Sequence, residues 1–338
     1  MQKIAISGLN ASDNPASGVA VAKSLKDEFE IIGLSYNPNE SGNYLDCISK
    51  SYLMPYPSLG IDALLLRLKE IQRKEKIVMI IPCLDAELPL YIKYQESITN
   101  LGIKLVLPNE KNFELRNKNR LHLLSKKLDI RYPKTEAFFE MQKLEEIEKH
   151  FTYPIMIKGN YYNAYKSYNQ TSSHEYAKKI CNEWGFPLLV QEVIYGDELN
   201  LVGLGDGKGN LIGAVSIKKL TTTELGKVWT AVSIEHNGLL EVAKKFVAET
   251  LWRGAFELEC MVNKEKMYLI EINPRFPSWV YFATALDINM PKQLVEMANG
   301  KEVTPQLNYQ TGKMYIRFTD ELITDFSDFS TLMMKKEL

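Results

Sequence analysis

Regular alternation of short apolar strands with helical segments is the feature of the first 108 residues that most restricts the fold. The predicted strands are KIAISG, EIIGLSY, SYLMPYP, KIVMIIPC and IKLVLP. The predicted helices between them are VAVAKSLKDE, IDALLLRLKEIQRK and LPLYIKYQESITNLG. Chains with this alternation form parallel, doubly wound sheets of the α/β class. The polar segments NASDNPASG and CLDAE follow strands, at the edge where open α/β sheets bind ligands.

The second half of the chain has a different, α+β pattern with antiparallel pairs. A helical link is predicted at residues 109–150, followed by the strand YPIMIKG, the helix SSHEYAKKICNEWG and the strand FPLLVQEVI. Two hairpins are predicted at the turn signals DGKGN and NKEK, the second of which joins GAFELECMV to MYLIEINPR. The last residues, roughly 310–338, are predicted to form a peripheral strand and a frayed tail.

Composition argues against several classes of protein. A net charge of −1 on 338 residues favours neither a nucleic-acid partner nor an acidic membrane surface. The sequence has no apolar run long enough to span a bilayer, and MQKIAISG is predicted to be a first strand, not a signal peptide. Four scattered cysteines predict reduced thiols in a cytoplasmic protein. If a metal binds, carboxylates are its expected ligands, which indicates Mg²⁺ or Mn²⁺.

The stretch YLIEINPRF carries polar residues at alternate positions of an apolar strand. Glu271, Asn273 and Arg275 therefore point to one face. Glu257 and Glu259 alternate in the same way in FELEC, and a hairpin can bring Glu259 opposite the first group. Carboxylates so close repel one another unless a cation lies between them, and a guanidinium suits a phosphate or carboxylate. The alternative is a solvated sheet face with salt bridges.

Further polar residues occur at the ends of strands upstream. Lys158 ends one apolar strand, and Gln191 and Glu192 lie in another. The end of this strand and the residues that follow it can present hydrogen-bonding groups to an adenine edge and to a ribose. These residues are Glu192, Val193, Ile194 and Glu198. Taken alone, an edge-strand glutamate is more often solvated, and Lys118 in LRNKNR is predicted to be a surface residue.

The order of these residues resembles the ATP-grasp superfamily, in its biotin carboxylase and carbamoyl-phosphate synthase branch. Lys118 is followed by Lys158, then by Q-E-x-I, then by E-x(11)-E-x-N-x-R over roughly residues 110–300. YLIEINPRF is the most specific element, close to the metal strand of that superfamily. The resemblance implies a Rossmann-like pre-ATP-grasp domain at 1–108, an ATP-grasp domain at 109–305 with a small lid subdomain at about 153–192, and a C-terminal strand and tail at 306–338.

The resemblance also implies a role for each matching residue. Two lysines would hold the nucleotide phosphates, and the Q-E-V-I segment would bind adenine. Two glutamates would bridge Mg²⁺ with help from the asparagine, and the arginine would stabilise the transferred phosphate or acyl-phosphate. The phosphate-binding lysines are Lys118 and Lys158. The adenine-binding segment is Gln191, Glu192, Val193 and Ile194, with Glu198 near the ribose. The Mg²⁺ ligands are Glu259, Glu271 and Asn273, and the arginine is Arg275. The implied cofactors are ATP and Mg²⁺ (or Mn²⁺).

Two segments depart from the pattern of the superfamily. Many members follow the second lysine with a glycine-rich loop that covers the phosphates, whereas GNYYNAYKSYNQ has one glycine and four tyrosines, Tyr161, Tyr162, Tyr165 and Tyr168. This segment is either a lid that uses Lys166 or tyrosine hydroxyls, or a packed surface loop. After Arg275 the chain continues FPSW, and Phe276 and Trp279 would narrow an adjacent pocket.

Two strand ends in the first domain are candidates for binding charged groups. Asn14, Ser17 and Gly18 lie at a predicted helix N-terminus, which suits a carboxylate. Asp85 and Glu87 lie at another strand end and could take an ammonium group. Capping is the alternative for each, because Asp, Asn and Ser favour such positions.

The expected function is an ATP-dependent carboxylate–amine ligase. It would form an amide or peptide-like bond through an acyl-phosphate and release ADP and phosphate. This chemistry needs positioning and charge neutralisation and no protein nucleophile. The alternatives are a bicarbonate-activating carboxylase or carbamoyl-phosphate-type enzyme, and a non-catalytic ATP-binding regulatory module. The expected partners are a small-molecule carboxylate and an amine, an amino acid or peptide among the options, and a homodimer by analogy with proteins of this architecture.

Overall fold

The computed structural model describes residues 1–12, 14–159 and 164–338 and divides the chain into two compact units. The first unit comprises Met1–Phe113, Asn200–Glu257 and Asn273–Leu338. The second unit comprises Glu114–Leu199 and Leu258–Ile272. The domain borders that the resemblance implies at residues 108 and 305 stay predictions.

The first unit begins with the parallel sheet that the alternating sequence predicts. Its strands are β1 (Lys3–Ser7), β2 (Glu30–Ser35), β3 (Lys50–Leu53) and β4 (Met79–Ile81), in the order β3-β2-β1-β4. Ile4 of β1 pairs with Ile31 on one side and Met79 on the other, in parallel register. The strand order reverses between β1 and β4, which is where doubly wound sheets bind ligands. The strand predicted at 103–108 is wrong as a full strand, since only a bridge joins Lys104 to Met79.

Helices cover this sheet because their apolar residues recur at helical spacing. They are α1 (Gly18–Leu25), α2 (Gly60–Glu75), α3 (Leu88–Lys93) and α4 (Gln95–Thr99). On α2 the buried positions are Leu64, Leu68, Ile71 and Glu75, which follow the period of one helix face. A Cβ at Gly18 would lie 2.0 Å from the carbonyl oxygen of Ser7, so only glycine lets α1 begin this close to the end of β1.

The second unit contains a smaller four-stranded sheet packed against a long helix. The elements of this part are α5 (Glu110–Glu114), α6 (Leu121–Leu128), β5 (Thr135–Phe138), α7 (Ile147–His150), β6 (Ile155–Gly159), β7 (Ala164–Ser167), α8 (Gln170–Trp184) and β8 (Leu188–Glu192). The strand order is β5-β8-β6-β7, and the neighbouring strands are antiparallel. The link predicted to be helical at 109–150 therefore also contains the strand β5.

The remaining strands form a six-stranded sheet in the order β13-β12-β9-β10-β11-β14. The elements are β9 (Asp197–Asp206), β10 (Leu211–Thr222), β11 (Val228–Ile234), α9 (Asn237–Thr250), β12 (Arg253–Asn263), β13 (Lys266–Asn273), α10 (Val280–Ala285), α11 (Met290–Ala298), β14 (Met314–Ile316) and α12 (Phe326–Lys335). Lys264 and Glu265 alone separate β12 from β13, which makes the predicted hairpin. The DGKGN turn is held by Asp206, whose carboxylate accepts from the amides of Lys208 and Asn210 at 2.7 and 3.0 Å.

The end of the chain is ordered by backbone pairing, so the predicted frayed tail is wrong. Leu332 of α12 is buried. The amide of Leu338 donates to Ser51 at 2.8 Å, and the amide of Leu53 donates to Lys336 at 3.0 Å. These bonds attach the tail to β3 within the first unit. Across the described ranges, no helix is long and apolar enough to cross a membrane.

Candidate functional site

Lys118 lies in the loop before α6 and is buried within the second unit, although its charged sequence context alone predicts a surface residue. Its Nζ is 3.6 Å from Oε1 of Glu271, and the two side chains are 9% and 32% exposed. The hydroxyl of Tyr132 donates to its carbonyl oxygen at 2.8 Å. These contacts fix the loop and place a lysine beside a carboxylate of the predicted metal strand.

Lys158 lies on β6 and is also buried in the second unit. Its Nζ donates to Oε1 of Gln191 on β8 at 2.6 Å, and Nε2 of Gln191 donates to Thr135 at 2.8 Å. Gln191 thus holds Lys158 in one position through a neutral acceptor. A neutral acceptor leaves the positive charge of the lysine uncompensated by this bond.

Lys158 interacts electrostatically with four charged residues that the sequence analysis identified, namely Lys118, Glu198, Glu259 and Glu271. The pKa of Lys158 is lowered to about 8, mainly by burial and next by the neighbouring charge of Lys118. The carboxylates of Glu271, Glu259 and Glu198 act in the opposite direction and partly restore the charged form. Lys118 and three carboxylates therefore lie within electrostatic reach of Lys158. Such a cluster suits a ligand that carries several negative charges together with a cation.

The predicted adenine segment continues from the end of β8. Oε1 of Glu192 accepts from the amide of Lys134 at 2.7 Å, and the amide of Glu192 donates to the carbonyl of Lys134 at 2.9 Å. Val193 and Ile194 follow, half-buried and beyond the end of the strand. The carboxylate of Glu192 thus has a backbone donor in this structure, and its contact with an adenine amine stays a prediction.

Asn273 lies at the end of β13 in the first unit, where it contacts a residue that sequence reasoning did not assign to the site. Its Nδ2 donates to Oε2 of the buried Glu257 at 2.9 Å. The other oxygen, Oε1, accepts from Nδ2 of Asn200 at 2.8 Å and from the indole of Trp279 at 2.8 Å. The alternation of Glu257 with Glu259 in FELEC was the available signal. Glu257 thus holds three side chains from separate segments.

Arg275 follows two residues later and pairs with a carboxylate of the same unit. Its Nε and Nη2 donate to Oδ2 of Asp85 at 2.9 and 2.6 Å, and its Nη1 donates to the carbonyl of Phe276 at 3.3 Å. Burial opposes the charge of Arg275, but the charge and hydrogen bonds of Asp85 outweigh it and raise the pKa of the guanidinium. Both Phe276 and Trp279 are buried at 1% exposure, as expected for residues that fill the space beside this segment.

Part of the tyrosine-rich segment can be described. Tyr161 and Tyr162 lie outside the described residues. Tyr165 of β7 stacks on Tyr176 of α8 with ring centroids 4.8 Å apart, and Nζ of Lys166 lies 4.7 Å from the ring centre of Tyr195. The contact of Tyr165 with Tyr176 packs the smaller sheet against α8, and the role of the segment as a lid stays a prediction.

Among the described residues, no three His, Cys, Asp or Glu side chains form a metal-binding group. The predicted Mg²⁺ ligands are two carboxylates, those of Glu259 and Glu271, and the side-chain amide of Asn273. Oxygen donors of this kind fit Mg²⁺, which commonly uses one or two carboxylates and keeps waters or phosphate oxygens. The donor chemistry therefore fits Mg²⁺.

The fold is shared with solved structures of very different sequence. L-amino acid ligase from Bacillus licheniformis matches with a TM-score of 0.66 and 14% identity, over 88% of this chain and 74% of that chain. The biotin carboxylase domain dimer of 2-oxoglutarate carboxylase from Hydrogenobacter thermophilus, in complex with MgADP and bicarbonate, matches with a TM-score of 0.66 and 16% identity. That match covers 90% of this chain and 71% of the neighbour. At these identities the similarity establishes the fold.

A family model described as "ATP-grasp in the biosynthetic pathway with Ter operon" matches residues 186–320. Over this segment the chain is similar to the ATP-grasp family. Among curated proteins, the chain is 21% identical over 235 residues to the carbamoyl phosphate synthase large chain of Thermoanaerobacter sp. (strain X514), which is 65% of this chain and 22% of that protein. It thus spans about a quarter of the length of the curated relatives it matches. The predictions of an ATP-grasp fold and of an enzyme of the ATP-grasp class are confirmed.

Proposed function

We propose that this ATP-grasp chain is a carboxylate–amine ligase that uses ATP and Mg²⁺. ATP phosphorylates the carboxylate of a small-molecule acid, and an amine attacks the acyl-phosphate to give an amide, ADP and phosphate. The observation that carries the proposal is the cluster of two buried lysines and three carboxylates in the second unit. This cluster offers charge neutralisation and positioning, which are what phosphoryl transfer requires of a protein.

The lysines and the Q-E-V-I segment account for nucleotide binding in this proposal. Lys118 and Lys158 hold the phosphates, which would compensate the lysine charges and raise the low pKa of Lys158. Gln191 keeps Lys158 in place, since its amide oxygen accepts from the ammonium. Backbone groups of Val193 and Ile194 take the adenine edge, and Glu198 takes a ribose hydroxyl.

The metal-strand residues account for the reacting end. Glu259, Glu271 and Asn273 hold Mg²⁺, which supplies charge neutralisation to the phosphates when bound. Lys118 restrains the carboxylate of Glu271 through their 3.6 Å contact. Arg275 binds the carboxylate that is activated and steadies the acyl-phosphate. A homodimer is part of the proposal, supported by the dimeric biotin carboxylase neighbour.

The test is ADP release from Mg-ATP with a panel of small acids and amines, offered singly and in pairs, with hydroxylamine to trap an acyl-phosphate as hydroxamate. Turnover that needs an acid and an amine, with hydroxamate from the acid, supports the ligase. Turnover with bicarbonate alone supports the carboxylase-type reaction instead. Tight Mg-ATP binding without turnover across the panel supports a regulatory ATP-binding module.

Two variants connect the activity to the cluster. Glu271→Gln removes a charge from the predicted metal strand and should abolish metal-dependent ADP release while leaving the fold intact. Glu265→Gln is the matched control, because Glu265 is exposed in the turn of the same hairpin. Normal turnover by Glu271→Gln would exclude the proposed metal role.

A further inference from the structure

Residues 131–135 form a short segment that runs into β5 and lies between β13 and the end of β8 in the second unit. Arg131 forms a parallel backbone bridge with Tyr268 of β13. The amide of Lys134 donates to the carboxylate of Glu192 at 2.7 Å, and the amide of Glu192 donates to the carbonyl of Lys134 at 2.9 Å. These bonds hold the backbone of the segment beside the strands that carry the candidate site residues.

The hydroxyl of Thr135, at the start of β5, sets the orientation of the Gln191 side chain. Oγ1 of Thr135 donates its only proton to the carbonyl of Pro133 at 2.8 Å, so toward Gln191 it can only accept. Nε2 of Gln191 donates to it at 2.8 Å. The amide nitrogen of Gln191 must therefore face Thr135, which leaves the amide oxygen for Nζ of Lys158 at 2.6 Å.

Lys158 depends on this orientation because it is buried, with 7% of its surface exposed. A Gln191 amide turned the other way would present its NH₂ group, which can only donate, to an ammonium that can also only donate. A buried donor without an acceptor is costly, so the ammonium would leave its present position. In the observed arrangement one ammonium proton is used by Gln191, and two are available to other acceptors.

Tyr132 supports the other lysine of the site. Its hydroxyl donates to the carbonyl of Lys118 at 2.8 Å and so restrains the backbone of that residue. Burial raises the pKa of Tyr132, and side-chain hydrogen bonds with Thr135 and Gln191 act against the rise. The phenol therefore lies beside the two side chains that hold Lys158, and the supports of both lysines meet in one cluster.

We infer that Thr135 and Tyr132 are positioning residues for the two phosphate-binding lysines, Thr135 acting on Lys158 through Gln191 and Tyr132 acting on Lys118 through its carbonyl. The inference rests on the proposed function, in which these lysines bind the phosphates of ATP. Lysines that are already held in place bind the nucleotide without the entropic cost of ordering two long side chains.

The test is Thr135→Val, which keeps the β-branched shape of the side chain and removes the acceptor for Gln191. Titration calorimetry with Mg²⁺ and a non-hydrolysable ATP analogue gives the dissociation constant, and the ADP-release assay gives KM and kcat. The dissociation constant and the KM for ATP should rise about 10-fold, while kcat changes less than about threefold, because the lysine charge remains and its position is lost. Thr135→Ser retains the hydroxyl and should bind like the wild type. Wild-type affinity in Thr135→Val, or an equal loss in Thr135→Ser, would overturn the inference.

A double-mutant cycle separates action through Gln191 from a general effect on β5. In the background of Gln191→Leu, Thr135→Val should weaken binding no further, because the amide that it orients is gone. Full additivity of the two losses would contradict the role of Thr135. Should Thr135→Val fail to fold, Thr135→Ala takes its place in both experiments with the same expectations.

Tyr132→Phe tests the support of Lys118, and it should also raise the dissociation constant of the ATP analogue, because the bond to the Lys118 carbonyl is lost. Unchanged binding would remove Tyr132 from the inference. The control is Thr99→Val, which removes an exposed hydroxyl that donates to the carbonyl of Gln95 at 2.7 Å in the first unit. This control should bind the analogue like the wild type.

Crystal structures without nucleotide distinguish failure of the inference from failure of the proposed function. If the wild type binds no ATP analogue, the proposed function fails, and the position of Lys158 alone decides about Thr135. Nζ of Lys158 should remain hydrogen-bonded to Oε1 of Gln191 in Thr135→Ser, and should lie beyond about 3.5 Å from it in Thr135→Val. An unchanged contact in Thr135→Val would reject the inference.

Discussion

Asn273 donates its side-chain amide to Oε2 of Glu257 at 2.9 Å, with both side chains buried. A carboxylate can only accept hydrogen bonds, so the nitrogen of the amide must face Glu257 and its oxygen must face away. The orientation of the oxygen proposed to contact Mg²⁺ is thus set by a neighbouring residue. Partners of this kind commonly affect metal affinity about 10- to 100-fold.

Glu257→Gln should therefore weaken both the fold and the metal dependence. The new side-chain NH₂ would face donors from Asn200, Asn273 or Trp279, so the free energy of unfolding should fall by about 1–3 kcal/mol. The Mg²⁺ concentration for half-maximal ADP release should rise about tenfold. Urea unfolding and a Mg²⁺ titration measure the two effects.

The control is Trp279→Phe, which removes only one of the donors to Glu257. This variant should lose stability without a change in Mg²⁺ dependence. An equal change in Mg²⁺ dependence in both variants would contradict the role given to Asn273.

Lys158 should destabilise the nucleotide-free chain at neutral pH. With its pKa lowered from 10.5 to about 8 in the folded state, the unfolded chain binds more protons between these values, so stability rises with pH in that window. Lys158→Met removes the effect. At pH 7 the free energy of unfolding of Lys158→Met should exceed that of the wild type. This difference should shrink by about 2 kcal/mol between pH 7 and pH 10. Urea unfolding without Mg²⁺ measures it.

The control for this prediction is Lys244→Met, because Lys244 pairs with Glu241 on the surface at 2.7 Å. It should show no such dependence. A constant difference between Lys158→Met and the wild type across this pH range would mean that Lys158 has an ordinary pKa. ATP binding should be lost in Lys158→Met and retained in the control.

The buried carboxylate of Glu75 should stabilise the first unit at neutral pH. Burial opposes its charge, but donors from Lys3, Tyr52 and Lys50 outweigh burial and lower its pKa to about 2. The contribution of about 3 kcal/mol is present above the unfolded value of 4.5 and is lost as the pH falls toward 2. In acid titrations of unfolding free energy, Glu75→Gln should lack this loss. Glu70→Gln removes a half-exposed carboxylate whose pKa is lowered by its hydrogen bond with Arg67, and it should change the titration less than Glu75→Gln.

Local sequence patterns predicted the elements, and long-range contacts explain what they missed. The alternation of strands and helices correctly predicts β1 to β4, and the DGKGN and NKEK turns correctly predict two hairpins. No local pattern identifies the contact of Arg275 with Asp85, because the partners are 190 residues apart. The same reason hides the role of Glu257, whose donors come from three segments. The burial of Lys118 depends on packing, which its charged sequence context does not reveal.

Removal of residues 336–338 should destabilise the first unit, because the tail bonds to β3 and because Arg67 also donates to the carbonyl of Lys336. Arg67 interacts with the tail and with Leu53, so Arg67→Ala should reproduce part of the loss. Thermal unfolding measures both effects. Lys292→Ala, which removes a surface pair with Glu28, serves as the control. An unchanged unfolding temperature after the deletion would show that the tail contributes nothing to stability.

The tail also determines what other chains can attach to. β3 is the outermost strand of its sheet, and an uncovered outer strand is a template for sheet growth between molecules. The bonds from Lys336 and Leu338 occupy the hydrogen-bonding groups of β3 that a foreign strand would use. Residues 336–338 should therefore hinder aggregation through β3. Their deletion should first lower the solubility of the protein at high concentration.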